Sequence, residues 1–286
     1  MILVTGATGH LGQSVVQQLN QHLEKNEFAV LARNLEKAKP YINDHIEVRH
    51  GDFDQPESLI QAFQGIDKLL LISTMEQNRF EQHKNVIDAA KKAGVKHIVY
   101  TSLAIQNIET SAVRDLMMSH FQTEDYLKQS GIKYTILRNT MYAEAIPQII
   151  GEQALDTGIQ LAGGDGKVPY VLRAELGEAT ANLLIQPGHE NQVYDFVGSQ
   201  SYSYGDIANI LSDIKNEVMS YQSLSDDAYR ALLQQIGLPD FLIYLTHGTV
   251  LDIQKHQYEL KSNILEQLLG RPTTPVDQYL ANIYSK

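Results

Sequence analysis

Residues 1–12, MILVTGATGHLG, decide the fold. The run Ile2-Leu3-Val4-Thr5 is apolar and β-branched and stops at a glycine, which predicts a short, fully buried strand. Gly6, Gly9 and Gly12 follow at G-x-x-G-x-x-G spacing. Beyond them Val15, Val16, Leu19 and Leu23 recur at helical intervals, so the strand feeds through a glycine turn into a helix. That unit suits a dinucleotide. Gly6 permits the tight turn, Gly9 lets the backbone approach a pyrophosphate, and Gly12 lets the helix lie close to the sheet. The free N–H groups of the first helical turn then face the phosphate charge.

Working outward, Phe28–Ala32 (FAVLA) reads as a second buried strand whose tip carries Arg33, with Lys37 one helical turn further on. NAD-selective folds place an acidic residue at that tip to accept from the ribose 2′-hydroxyl. A cation there suits a 2′-phosphate instead, so NADPH is the expected cofactor. Further strands are predicted at 46–50, 69–72, 97–101 and 134–137, and helices at 56–63, 82–92 and 112–129. This alternation predicts a doubly wound α/β fold with a parallel sheet. Its ligand edge is the C-terminal end of the strands, which brings forward Asp52-Phe53, Ser73-Thr74-Met75, Thr101-Ser102 and the segment Arg138–Tyr142.

The second half changes character. GGDGK (163–167) reads as a turn, Arg173–Ile185 as a helix and Val193–Val197 as a strand able to rejoin the sheet. Ser203 with Asp206 forms a capping box, and Ser225 caps another helix that ends at Gly237-Leu238-Pro239. Two last helices, near 263–269 and 276–283, flank Gly270-Arg271-Pro272. The expected division is a dinucleotide-binding domain over 1–145, joined by 173–198, and a smaller, mostly helical substrate lobe over 146–286.

Composition narrows the function classes. The chain has 286 residues, a net charge of −11 and no clustered basic residues, which disfavours nucleic acid and anionic membrane as partners. It has no cysteine, so thiol nucleophiles, disulfides and cysteine metal sites are absent. No apolar run approaches the ~20 residues needed to cross a bilayer. The start lacks the features of a signal peptide, and a cytoplasmic location is expected. Ten histidines lie scattered without metal-ligand spacing, and no G-x-S-x-G elbow occurs. The oligomeric state is open, and a homodimer is compatible with everything above.

The glycine pattern with Arg33, HGDFD (50–54), the Thr101-Ser102 pair, SGIKYTILRN (130–139) and LGRPTTPVDQYL (269–280) resembles the NmrA-like, atypical short-chain dehydrogenases. Within that family, LLLIS (69–73), AAKKAGVKHIVYTSL (89–103), GDGK (164–167) and GLPD (237–240) are most similar to bacterial NADPH-dependent quinone oxidoreductases. The resemblance implies that Gly6, Thr8, Gly9, His10, Leu11 and Gly12 hold the pyrophosphate and Arg33 the 2′-phosphate. It implies that Asp52 and Phe53 border the adenine, and that Ser73, Thr74 and Met75 pass along the ribose and nicotinamide. Arg138, Asn139 and Tyr142 would form the floor shared by nicotinamide and substrate.

Conventional short-chain dehydrogenases use a Tyr-x-x-x-Lys pair for acid–base work. Here Tyr126 is followed four residues later by Ser130 and Tyr100 by Ala104. Counting back from Gly131, His120 stands where related plant-type reductases carry a lysine. His120 is therefore the candidate acid or orienting donor, beside Asn139 and Tyr142 as candidate catalytic residues. A quinone is already electron-poor and asks little acid–base help, so the missing pair fits hydride transfer to a quinone-like small molecule. A non-catalytic NADP(H) sensor is the alternative, and an epimerase is disfavoured by the missing pair.

Overall fold

The structure, a computed structural model, describes residues 1–285. Nine strands form: β1 (Ile2–Val4), β2 (Phe28–Ala32), β3 (Glu47–His50), β4 (Lys68–Leu71), β5 (His97–Leu103), β6 (Lys133–Asn139), β7 (Ile159–Leu161), β8 (Gln192–Phe196) and β9 (Tyr221–Ser223). Seven of them build one parallel sheet in the order β3-β2-β1-β4-β5-β6-β8, while β7 and β9 pair separately. Strand order reverses between β1 and β4, where Val4 stands opposite both Val30 and Leu70.

Both faces are covered at the centre of the sheet, which is why β1, β2 and β4 read as apolar runs while the edge strands β3 and β8 mix in polar residues. Val4, Leu70, Val99 and Leu137 pack with Val15, Val16 and Leu19 of the helix His10–His22 and with Leu176 and Leu183 of the helix Arg173–Ile185. Leu3, Leu69, Leu71, Ile98 and Ile136 face the other way, onto Leu59, Val86 and Leu127 of the helices Pro56–Ala62, Arg79–Ala93 and Arg114–Gln129. The short helix Ile264–Leu269, expected with the second lobe, instead puts Leu265, Leu268 and Leu269 into the first of these cores.

A third core lies beyond the strand ends and contains Ile146, Tyr170, Tyr204, Tyr229, Val250 and Ile253. Ile243, Val250 and Ile253 of this core come from a helix the sequence reading lacked, Asp240–Gln254. Its carboxylate Asp252 is fully buried and accepts from Ala112 N at 2.7 Å and from the Ser111 hydroxyl, just before the helix Arg114–Gln129. The GGDGK turn sits against the same helix. A Cβ on Gly166 would lie 1.8 Å from the Ile253 carbonyl oxygen, so no other residue fits. On the opposite side Arg271 pairs with Glu175 at 2.6 Å and Glu178 at 2.7 Å. Among the described residues no helix is long and apolar enough to cross a membrane.

The glycine turn imposes the tightest contact near the N-terminus. A Cβ on Gly12 would stand 2.2 Å from the Gly6 carbonyl oxygen and 2.7 Å from Ala7 Cα, all backbone that cannot swing away. Gly12→Ala is expected to cost ~3 kcal/mol or more, read as a lower urea midpoint of the cofactor-free protein.

Three histidines are buried and kept neutral. His83 is pushed down to about 3 by desolvation and then by the nearby Arg79 charge. His97, whose Nε2 lies 2.8 Å from Thr135 Oγ1, is pushed down to about 4 by desolvation and Lys68. His120 is driven well below the usual histidine range by desolvation, with Arg79 and His83 adding to it. Unfolded chains protonate these rings near pH 6.5 and the folded chain does not, so stability rises with pH across that interval. Their contribution is complete above about pH 7 and is lost as pH falls from 6.5 toward 4. Urea unfolding is expected to show a loss of roughly 3 kcal/mol per pH unit below about pH 6. A flat profile down to pH 4.5 would show that the rings titrate freely.

Candidate active site

A groove of about 330 Å³ opens at the switch point between β1 and β4, and eight of the sequence-predicted site residues line it: Gly6, Thr8, Gly9, Arg33, Asp52, Phe53, Ser73 and Thr74. Clefts at this position are the general ligand site of doubly wound sheets. Gly6 takes φ +61°, and a Cβ there would press to 3.1 Å from Ile72 Cβ. The helix His10–His22 begins at Gly9 with no side chain capping it and no acid in its first turn. The donors of that turn are therefore free for an anion.

At the β2 tip Arg33 is exposed and lines the groove, with no ion-pair or side-chain hydrogen-bond partner among the described residues. Asn34 Oδ1 accepts from Glu36 N at 2.9 Å and Lys37 N at 3.3 Å, which shapes the loop behind it. On the neighbouring wall Asp52 N donates to Ser58 Oγ at 3.0 Å, and Asn85 Nδ2 donates to the Phe53 carbonyl at 2.9 Å. On the β4 side Ser73 N donates to Thr101 Oγ1 at 2.9 Å. Gln82 and Glu76 also line the groove and were missed. Gln82 is a buried polar residue that shares its helix face with Arg79 and His83.

The remaining site residues lie elsewhere. His10 is exposed at the helix start, whereas the side chain of Leu11 is buried in the core and Gly12 is packed under the turn. Leu11 and Gly12 can offer backbone N–H groups only. Met75 is 59 % exposed, with its sulfur 3.7 Å from Arg79 Nη2.

Arg138 corrects an expectation. Strand alternation points it at the helix Arg114–Gln129, where it forms two bonds to Glu124, Nε–Oε1 at 2.9 Å and Nη2–Oε2 at 2.8 Å. Ser102 Oγ donates to the same buried carboxylate at 2.7 Å. Arg138 is thus a structural partner of Glu124, outside the groove lining. Tyr142 is half-buried, with the Arg173 guanidinium stacked 4.3 Å from its ring centroid. Asn139, the last residue of β6, is 4 % exposed, and neither its amide nitrogen nor its oxygen has a partner among the described residues. Such a group normally finds one, and the Tyr142 hydroxyl lies beside it.

His120 is the second correction. It is buried with its Nδ1 3.0 Å from the Tyr100 hydroxyl, outside the groove lining. The same burial that lowers its pKa leaves it neutral at physiological pH, so it cannot serve as a cationic acid there. Tyr126 is engaged as well, its hydroxyl donating to Asp88 Oδ1 at 2.7 Å. No group of three or more His, Cys, Asp or Glu among the described residues is placed to hold a metal ion.

The model of the NmrA-like family matches residues 1–260. Quinone oxidoreductase 2 of Escherichia coli (strain K12) is 36 % identical over 287 residues, covering 100 % of this chain and 99 % of that protein. The crystal structure of an Escherichia coli NADPH-dependent quinone oxidoreductase complexed with NADPH superposes with a TM-score of 0.91 at 36 % identity, over 99 % of this chain and 100 % of that one. The triphenylmethane reductase of a Citrobacter species gives a TM-score of 0.90 at 34 % identity, over 100 % and 99 %. A match of this extent, on a chain whose glycine turn, switch-point groove and lobe fall into one order, settles the lineage: the protein belongs to the NmrA-like family.

Proposed function

We propose that this protein is an NADPH-dependent oxidoreductase that passes hydride to a quinone or a similarly flat, electron-poor small molecule. The observation that carries the cofactor half is the groove itself. It joins an uncapped helix N-terminus, a glycine cradle and an unpaired arginine at the strand tip where NAD-selective folds place an acid. The acceptor is supported by the full-length similarity to quinone oxidoreductase 2. Gly6, Thr8 and Gly9, with the backbone of His10, Leu11 and Gly12, would hold the pyrophosphate. Arg33 would hold the 2′-phosphate, and Asp52 and Phe53 the adenosine. Ser73 and Thr74 would flank the nicotinamide half, and the unpartnered Asn139 amide would bind a polar group of cofactor or substrate.

The bound cofactor supplies the hydride. The protein's own part is to bind, align and exclude. Reducing a quinone takes up one hydride and one proton in sum, and that proton can come from water once the ring is reduced. Neither His120, neutral and buried, nor Tyr126, held by Asp88, is free to serve as an acid. An acceptor that needs protonation in step with hydride transfer, such as an unactivated ketone, would therefore be a poor substrate. The same proposal places the protein in the cytoplasm.

The test is loss of NADPH absorbance with a panel of benzo- and naphthoquinones, with NADH and a simple ketone run alongside. Quinone turnover with NADPH preferred is expected, with negligible ketone reduction. Arg33→Glu should raise KM for NADPH by ~100-fold or more while changing KM for NADH less than ~threefold. Equal losses for both cofactors would remove the 2′-phosphate role. Binding of NADPH without any turnover would favour the sensor reading.

A further inference from the structure

Thr74 lies in an irregular segment after β4, yet three side chains of the following helix take up its polar groups. Its carbonyl accepts from Arg79 Nε, its N–H points to His83 Nε2 at 3.4 Å, and its hydroxyl donates to Gln82 Oε1 at 3.0 Å. The spacing 79, 82, 83 puts all three on one helix face. Across the groove, Asp54 follows the adenosine-side pair Asp52-Phe53. Gln82 Nε2 donates to one of its carboxylate oxygens at 3.0 Å and Asn78 Nδ2 to the other at 3.1 Å. Gln82 thus bridges the segments that carry the two walls.

We propose that Arg79, Gln82 and His83 form a positioning clamp that fixes Thr74 and, through Asp54, sets the distance between the two walls of the groove. The inference rests on the cofactor reading above and adds residues to it. Arg79 and His83 do not line the groove, so they act through Thr74.

Packing alone does not explain Arg79. It is 0 % exposed, and its other bonds run to the Leu116 carbonyl at 3.1 Å and Ser119 Oγ at 2.8 Å. Every one of its partners is neutral. A buried guanidinium without a carboxylate is costly, and an apolar side chain of equal length would fill the space without that cost. The fork supplies geometry: it ties the Thr74 segment to the helix Arg114–Gln129 from a single rigid plane. His83 does the same from the other side. With Nε2 facing the Thr74 N–H, its Nδ1–H is left to donate to Thr123 Oγ1 at 3.0 Å, which donates to the Ser119 carbonyl at 2.8 Å. Only a neutral ring can play both parts, as its depressed pKa ensures.

The test compares His83→Leu, His83→Gln, Gln82→Leu and Arg79→Lys with the unsubstituted protein. The readouts are amide hydrogen exchange of residues 72–78 without cofactor, NADPH affinity by fluorescence titration, and KM and kcat. His83→Leu and Gln82→Leu are expected to speed exchange of that segment and to weaken NADPH about tenfold, the equivalent of one lost hydrogen bond. His83→Gln, which keeps an acceptor, should stay within about threefold of the original. Arg79→Lys should behave like His83→Leu because lysine lacks the fork; if it fails to fold, the histidine pair still decides. Unchanged exchange, or faster exchange at unchanged NADPH affinity, overturns the clamp. Failure of the cofactor reading looks different: the unsubstituted protein itself does not bind NADPH.

Discussion

The contact on which the site depends is the one between Gly12 and the Gly6 carbonyl. Because Gly12 carries no side chain, the first helical turn settles directly onto the backbone that leaves β1. That closeness fixes the direction of the helix, which lays Val15, Val16 and Leu19 along the sheet and aims the uncapped N–H groups at the switch point. Move the helix outward by a methyl group and the core under β1 and the anion site above it are both disturbed. Packing and binding share one cause, so a short glycine pattern carries so much information about the chain.

Legibility followed burial. The central strands of a doubly covered sheet are apolar, so β2 (Phe28–Ala32) stands where its sequence pattern puts it, as does the helix Arg173–Ile185. Capping chemistry was equally plain: Ser203 and Asp206 form the reciprocal box, and Ser225 accepts from Ala228 N. The helix Asp240–Gln254 left no such trace. Its N-cap is Pro239, it ends without glycine, and LIYLTHGTVL mixes apolar and polar residues around all sides. β-branched and aromatic residues there would equally suit a strand, and only the tertiary setting chooses helix.

The residues misplaced at the site share a different origin. Position at a strand tip says that a side chain is near the ligand edge, but strand alternation decides the face. Arg138 and Asn139 are neighbours on β6, yet one turns to Glu124 beneath the helix layer and the other ends buried without a partner. For His120 the spacing places it on the right helix, and nothing in the sequence reveals that the ring will be desolvated beside Tyr100 and Arg79. Titration behaviour is set by surroundings assembled from distant segments. Sequence therefore identifies the groove, built at strand tips and a glycine turn, better than it identifies proton donors.

The same logic explains how the segments that build the third core stay fixed to the sheet. They are tied down by two buried carboxylates at helix starts, Asp252 facing the segment ahead of Arg114–Gln129 and Glu175 standing in the first turn of Arg173–Ile185. Asp252, from the lobe, accepts from Ala112 N and the Ser111 hydroxyl ahead of Arg114–Gln129. Glu175, in the first turn of Arg173–Ile185, accepts from Arg271 and from Thr274 N and Oγ1 in the C-terminal segment. The helices they meet cover opposite faces of the sheet, so the lobe straddles its C-terminal edge and is held from both sides. Helix N-termini carry partial positive charge, which offsets part of the cost of burying each carboxylate. An anchor of this kind fixes direction as well as proximity, because the accepting oxygens must meet particular N–H and O–H groups. Hydrophobic contact alone would let the lobe slide. With two directional ties, these segments hold one orientation relative to the sheet.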